Sequence, residues 1–167
     1  MENEFKVSND LLASQGQRFL NYVLDNIVIY AIIIILMFLT AMICTIFGFN
    51  TIIGWIDKLS DLQWYLLYFS TMIGYYVLFE YFFSRTVAKF ITSTIVVIED
   101  GSKPTIGTVF KRTLCRIIPF DPLSFFGGRG WHDTIPDVFV MNKKEFEYKR
   151  DLFNSFDQIG EEEEQIN

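Results

Sequence analysis

Between Asp25 and Asp57 lie 31 consecutive residues without a charged side chain, and between Asp61 and Glu80 another 18. A hydrocarbon core about 30 Å thick is crossed by roughly 20 apolar residues of helix. A soluble single domain of 167 residues could not carry two such stretches without aggregating. The whole-chain average hides this, because 51% hydrophobic and 20% charged is close to ordinary soluble composition. The distribution excludes a disordered chain and a basic nucleic-acid-binding module, so no nucleic-acid partner is expected. The net charge of −6 becomes −2 once the four-residue run Glu161 to Glu164 is set aside, so the acidity is a feature of the tail. Such a block is expected to be solvated and disordered.

The first span is placed at residues 22–47 and the second at 62–83. At 1.5 Å per residue the first reaches about 39 Å, so it tilts or protrudes from one face. Trp55, Trp64 and Tyr65 would mark one membrane boundary, Tyr22 and Tyr81 the other. The connector carries one basic residue, Lys58. Lys6 and Arg18 precede the first span, and eleven Lys/Arg follow the second. Basic residues stay cytoplasmic, which predicts both termini inside. The N-terminus lacks the pattern of a cleavable signal, so the first span is expected to remain as an anchor. Ser70/Gly74, Ala41/Thr45 and Cys44/Gly48 are small-residue pairs that would permit close helix approach.

Beyond Arg85 the pattern changes. Ile95 to Ile98 reads as a strand with a Glu99-Asp100-Gly101 turn, and Val138 to Met141 as a second strand able to pair with it. Thr105 to Ile118 has helical apolar spacing with Lys111, Arg112 and Arg116 on the other positions. This basic helix would lie on anionic headgroups, or cover the strands with its charges solvated. Pro119 and Pro122 end it, and Phe125 to Gly130 reads as a loop. The fold class is therefore membrane α-helical: a two-helix transmembrane hairpin with a small cytoplasmic α+β cap. The division is a cytoplasmic segment 1–17, a membrane domain 18–141 with its cap at 84–141, and a charged, ragged tail 142–167.

Ionisable residues inside a span are the strongest functional pointer. Asp25 and Glu80 fall at similar depth near the cytoplasmic face. Arg18 lies about two turns from Asp25 on the same helix face, too far for easy direct contact, and Arg85 flanks Glu80. These four residues form a candidate ion or proton site, with interfacial pairing that fixes the hairpin's register as the plainer reading. His132 is the single histidine and precedes Asp133, a combination expected to be a structural hydrogen-bonded pair. Cys44 and Cys115 read as buried thiols, with no zinc or disulfide pattern. No nucleophile elbow, Walker motif or dinucleotide motif occurs, so no catalytic residue, metal or cofactor is assigned.

Arg18-Phe19-Leu20-Asn21-Tyr22-Val23-Leu24-Asp25 resembles the opening of the RDD family, named for one arginine and two aspartates. Thr86-Val87-Ala88-Lys89 resembles the family's Thr-x-Gly-Lys segment, with Ala88 in place of the usual glycine. Val96-Val97-Ile98-Glu99-Asp100-Gly101, then Arg112 to Arg116, then His132-Asp133 before Val138-Phe139-Val140, follow in the family's order. The resemblance covers roughly residues 14–141 and implies Arg18, Asp25 and Asp133 as the signature. Ser93 stands where another glycine is common, and residues 118–131 are too few for the third membrane helix of many members. It implies a multi-pass protein of the cell membrane, the inner membrane in bacteria, with transport of an unspecified ligand. Two helices enclose no pathway, so a homo-oligomer or a membrane partner protein is expected besides the lipid bilayer. The competing expectation is a membrane-anchored scaffold acting through its cytoplasmic part.

Overall fold

A computed structural model describes residues 5–56, 58–124 and 127–166. Helix α1 runs Gln15–Phe47 and helix α3 runs Asp61–Phe83. Ser14 starts α1 with a reciprocal cap: its hydroxyl accepts from the Gln17 N–H, while its own N–H donates to the Gln17 side chain. Gly48 ends it at φ 77°, a left-handed position that glycine adopts without steric cost. The connector holds a short helix, α2 (Asn50–Ile56), where turn chemistry alone was expected. Asp57 and the Trp55 side chain, which bore on the expected boundary, lie outside the described residues.

α1 and α3 meet through Ile29 and Ile33 on one side and Met72, Tyr75 and Tyr76 on the other. Gly74 is not at a close approach, since a Cβ there would meet nothing within 4 Å. Among the described residues nothing covers the remaining faces: Ile34 is 67% exposed and Phe38 68%. A core helix of a soluble domain would be covered on such a face. Both helices are long and apolar enough to cross a membrane. At 33 residues, α1 is about 50 Å long, and its first two turns, with buried Arg18 and Asn21, belong to the polar cap.

The cap begins at Ser84, whose left-handed φ of 54° turns the chain off α3. Helix α4 (Val87–Ile91) and strand β1 (Thr94–Val97) follow, then helix α5 (Ile106–Cys115) and two single-turn helices, α6 (Asp121–Ser124) and α7 (Trp131–Thr134). Strand β2 (Phe139–Asn142) pairs antiparallel with β1, with Val96 opposite Val140, so the expected ribbon forms, shifted by a residue. The N-terminal strap lies on it: Ala13 donates its N–H to Val140 O, and Leu12 bridges Met141. Leu11, Val97, Phe139, Met141 and Phe146 make the small core beneath. The tail is a helix, α8 (Lys143–Ile166), and not a ragged segment, docked through Phe146 and Phe153 against Phe5. Phe125 and Phe126 of the expected loop lie outside the described residues, as do Glu2, Glu4 and the side chains of Glu161 to Glu164.

Candidate functional site

Where the start of α1 and the end of α3 meet α4, α5 and α7, the structure buries a network of charged side chains. Glu80 is fully buried, on the last turns of α3. Its Oε1 accepts from Lys89 Nζ at 3.2 Å and Arg116 Nη2 at 2.9 Å, and its Oε2 accepts from Arg112 Nη1 at 3.0 Å. Arg112, also fully buried, turns its other edge to Asp133 on α7, with Nε and Nη2 donating to Oδ1 at 2.9 and 2.5 Å. Arg18 donates Nη1 to the remaining Asp133 oxygen at 3.0 Å, and its Nε to Ala13 O. One chain of pairs, Arg18–Asp133–Arg112–Glu80, thus ties α1 to α7, α7 to α5 and α5 to α3. Burial disfavours the ionised form of Asp133, but Arg112, with His132 and Arg18, holds its carboxyl well below the usual carboxylate range.

Asp25 sits in a different environment. Tyr75 Oη donates to Oδ1 at 2.7 Å, Thr86 Oγ1 to Oδ2 at 2.8 Å, and the Ala88 N–H to Oδ1 at 3.2 Å. Among the described residues no basic group lies within ion-pair distance of it. Thr86 is the N-cap of α4, so one residue both starts that helix and donates to Asp25. Asp25 and Glu80 share no hydrogen bond and no basic partner, so the expected site of Asp25, Glu80, Arg18 and Arg85 resolves into separate environments. Arg85 is not in the network; it lies over the Phe90 ring at 5.2 Å. Lys89 takes the place expected for it beside Glu80, and burial pushes the Lys89 ammonium down against the pull of that carboxylate.

A cavity of about 260 Å³ opens between these environments, walled by Arg18, Asp25, Lys89, Arg116, Tyr68 and Phe120, among others. Its walls also include the expected structural pair in revised form. His132 bonds mainly to Asp121, at 2.6 Å from Nδ1, while its N–H donates to Asp121 Oδ1. Burial lowers the His132 pKa. Among the described residues no cluster of His, Cys, Asp and Glu could hold a metal ion, and both cysteines are free and buried. Arg129, in the glycine loop, donates to Val138 O and stacks on Phe139.

The basic helix is turned the other way from either expectation. Lys111 is exposed, but Arg112 and Arg116 face inward, Arg116 lying 3.9 Å over the Tyr76 ring. Phe110 and Leu114 face outward. The cause is the pair of buried carboxylates, Glu80 and Asp133. Each would be left as an uncompensated buried charge if α5 presented its apolar face.

The RDD family model matches residues 12–141. The chain belongs to the RDD family. No curated protein and no solved structure gave a match. The resemblance read from sequence is therefore carried by the family match, and the geometry relates its motifs. Arg18 and Asp133 are partners in one ion pair. Thr86, Ala88 and Lys89, from the Thr-x-x-Lys segment, hold Asp25 and Glu80. Ala88 serves where glycine is usual because its contribution is a main-chain N–H. Ser93 has φ 54°, a left-handed backbone in which glycine is the unstrained choice. Tyr75 and Asp121 were not singled out from sequence; nothing in the spacing connects Tyr75 to a carboxylate fifty residues earlier.

Proposed function

We propose that this RDD protein is a component of a membrane transport system for a small cation or proton, with Asp25 as the exchanging group. The observation that carries the reading is the contrast at Asp25. It is fully buried, it borders the cavity, and it is held by hydroxyl and amide donors with no basic side chain in ion-pair distance. A carboxylate already neutralised by arginines has little to gain from a cation or proton. One held by neutral donors retains its charge to offer. Glu80, Arg18, Arg112 and Asp133 then form the frame that fixes the cavity.

In this reading α1 and α3 cross the cell membrane with both termini cytoplasmic, and the cavity opens in the inner leaflet. A cysteine at Ser60 is then labelled from outside by an impermeant reagent, and one at Ser102 is not. Two helices enclose no continuous path, so a second copy or a membrane partner completes it. The deciding experiment is proton and sodium flux into proteoliposomes. Wild type and Arg85→Ala conduct alike, and Asp25→Asn does not. Absence of flux from the purified protein, or wild-type flux through Asp25→Asn, overturns the reading.

The second reading is a membrane-anchored scaffold, favoured by one feature of α8. Tyr148, Leu152 and Phe156 are exposed at four-residue spacing, an apolar stripe of the kind a partner groove receives. Crosslinking from Phe156 in intact membranes then traps a defined second protein. Recovery of self-crosslinks alone counts against it.

A further inference from the structure

α5 descends beside α3. Arg112 bonds to Glu80, and one turn further on Arg116 reaches back to Glu80 with its tip while its guanidinium lies over Tyr76, seven residues before the end of α3 at Phe83. Seven residues are roughly 10 Å of helix, so the end of α5 stands well inside the level at which α3 ends. The following residues, Ile117 to Phe120, share a cavity wall with Tyr68, Phe69 and Met72, deeper still on α3. The chain then turns through α6 and climbs back, since Asp133 on α7 is level again with Arg112 and Arg18.

The outer side of this excursion is apolar. Phe110, Leu114 and Ile118 follow one another at four-residue spacing, all exposed, and Phe120 at the tip is 72% exposed. Between Lys111 and Arg129 the charged residues are Arg112, Arg116 and Asp121, and all three point inward to Glu80, Asp133 or His132. Several main-chain groups of the tip are bonded within it. Ile117, Ile118, Asp121 and Leu123 donate their N–H groups to carbonyls three residues back. Ser124 Oγ accepts from the Trp131 N–H and the Asp121 carboxylate from the His132 N–H, which fastens the returning limb to the tip. Lipid tolerates backbone only where its polar groups are satisfied internally.

We propose that α5, α6 and α7 form a re-entrant segment whose outer face is covered by acyl chains of the leaflet that holds the nearby ends of α1 and α3. It rests on the reading that α1 and α3 span the bilayer. The occupant follows from continuity: beyond the exposed Lys111 near its upper end, this face continues beside α3 and offers no charge to water down to its tip. The segment fills the position in the chain where a third full span has no room. The single His132–Asp121 pair acts as the clasp of the dip.

The test uses the full chain, with Cys44 and Cys115 replaced by serine and alanine, in phosphatidylcholine–phosphatidylglycerol vesicles. Nitroxide labels are placed singly at Leu114, Ile118 and Phe120, with Ile35 as the span control and Lys103 as the aqueous control. All are outward positions, and circular dichroism checks that each variant keeps its helix content. Collision with oxygen against collision with a water-soluble nickel chelate reports the surroundings. The expected result is a severalfold higher oxygen-to-nickel ratio at all three sites than at Lys103, rising from Leu114 to Phe120. Nickel access at Ile118 and Phe120 with Ile35 in lipid overturns the re-entrant segment and leaves the spans standing. Nickel access at Ile35 as well overturns the spanning reading and this proposal with it. Sites closed to both reagents, with dipolar broadening between labels, mean a second copy covers the face and overturn the lipid assignment.

Discussion

Asp25 and Glu80 occupy matching positions, one near the cap end of each long helix, yet they are held in opposite ways. Glu80 is gripped by three cations, one on α4, one on α5 and one at the C-cap of α5. Asp25 is gripped by a phenol, a threonine hydroxyl and a main-chain amide. A buried carboxylate needs compensation in either case, but the two solutions do different work. Cationic compensation joins separate elements and makes each partner costly to lose. Compensation by neutral donors leaves the carboxylate's charge available to a mobile ion. The difference separates a structural acid from a candidate functional one within one small volume.

The sharpest way to break this comparison is at Arg112, which serves both Glu80 and Asp133. Arg112→Met leaves two buried carboxylates each short of a partner. Removing one member of a buried ion pair costs about 3–5 kcal/mol. Chemical or thermal unfolding in detergent micelles measures the loss. A change within about 0.5 kcal/mol, the usual range for a surface substitution, would mean that the network does not hold the cap to the helices.

Protonation attacks the same junction by degrees. Asp133 in the folded protein titrates below its usual range, so as pH falls the unfolded chain binds its proton first. The stability it supplies is complete above the unfolded value of about 4 and is lost as pH drops from there through the folded value. The unfolding temperature is expected to be level from pH 7 to about 5 and to decline below about 4. Asp133→Asn flattens that acid limb while lowering the plateau.

Asp25→Asn tests the other half of the comparison. The amide keeps an oxygen for Tyr75 and the Ala88 N–H, and it turns its NH₂ toward the Thr86 hydroxyl, which can accept. The loss is that of mismatched buried hydrogen bonds, about 1–3 kcal/mol. It should fall below the effect of Arg112→Met in the same unfolding assay. Equal losses would place Asp25 in the structural frame and remove the reason to separate it from Glu80.

The long helices were legible because uncharged apolar runs record their length, and β1 because β-branched residues cluster there, with the short apolar run Val138 to Met141 marking its partner. Arg18, Asp25 and Glu80 stood out as ionisable residues in or beside apolar helices, and all three are buried; Asp133 stood out only through the family resemblance. Their pairing was not. Arg18 meets Asp133 across 115 positions of sequence, and Arg112 meets Glu80 across 32. Periodicity along one helix carries no information about such partners. The orientation of α5 failed for a related reason. An amphipathic pattern identifies two faces, and which of them turns inward depends on what the interior holds. Here the inside holds carboxylates, so the helix is turned with its charges toward them.

Arg85 and Lys89 give the smallest and most discriminating prediction. Sequence proximity selects Arg85 as the partner of Glu80, five residues away, while the fold brings Lys89 to it by turning the chain at Ser84 and restarting it as α4. Arg85 touches the Phe90 ring at 5.2 Å, a contact contributing about 0.5–1 kcal/mol. Arg85→Ala therefore costs at most about 1 kcal/mol of stability. Lys89→Met costs more, because the fully buried Glu80 loses a donor. Both side chains are basic and four residues apart, so total charge is the same in the two variants. A larger loss at Arg85 than at Lys89 would mean that chain proximity, and not the turn at Ser84, sets the partner of Glu80.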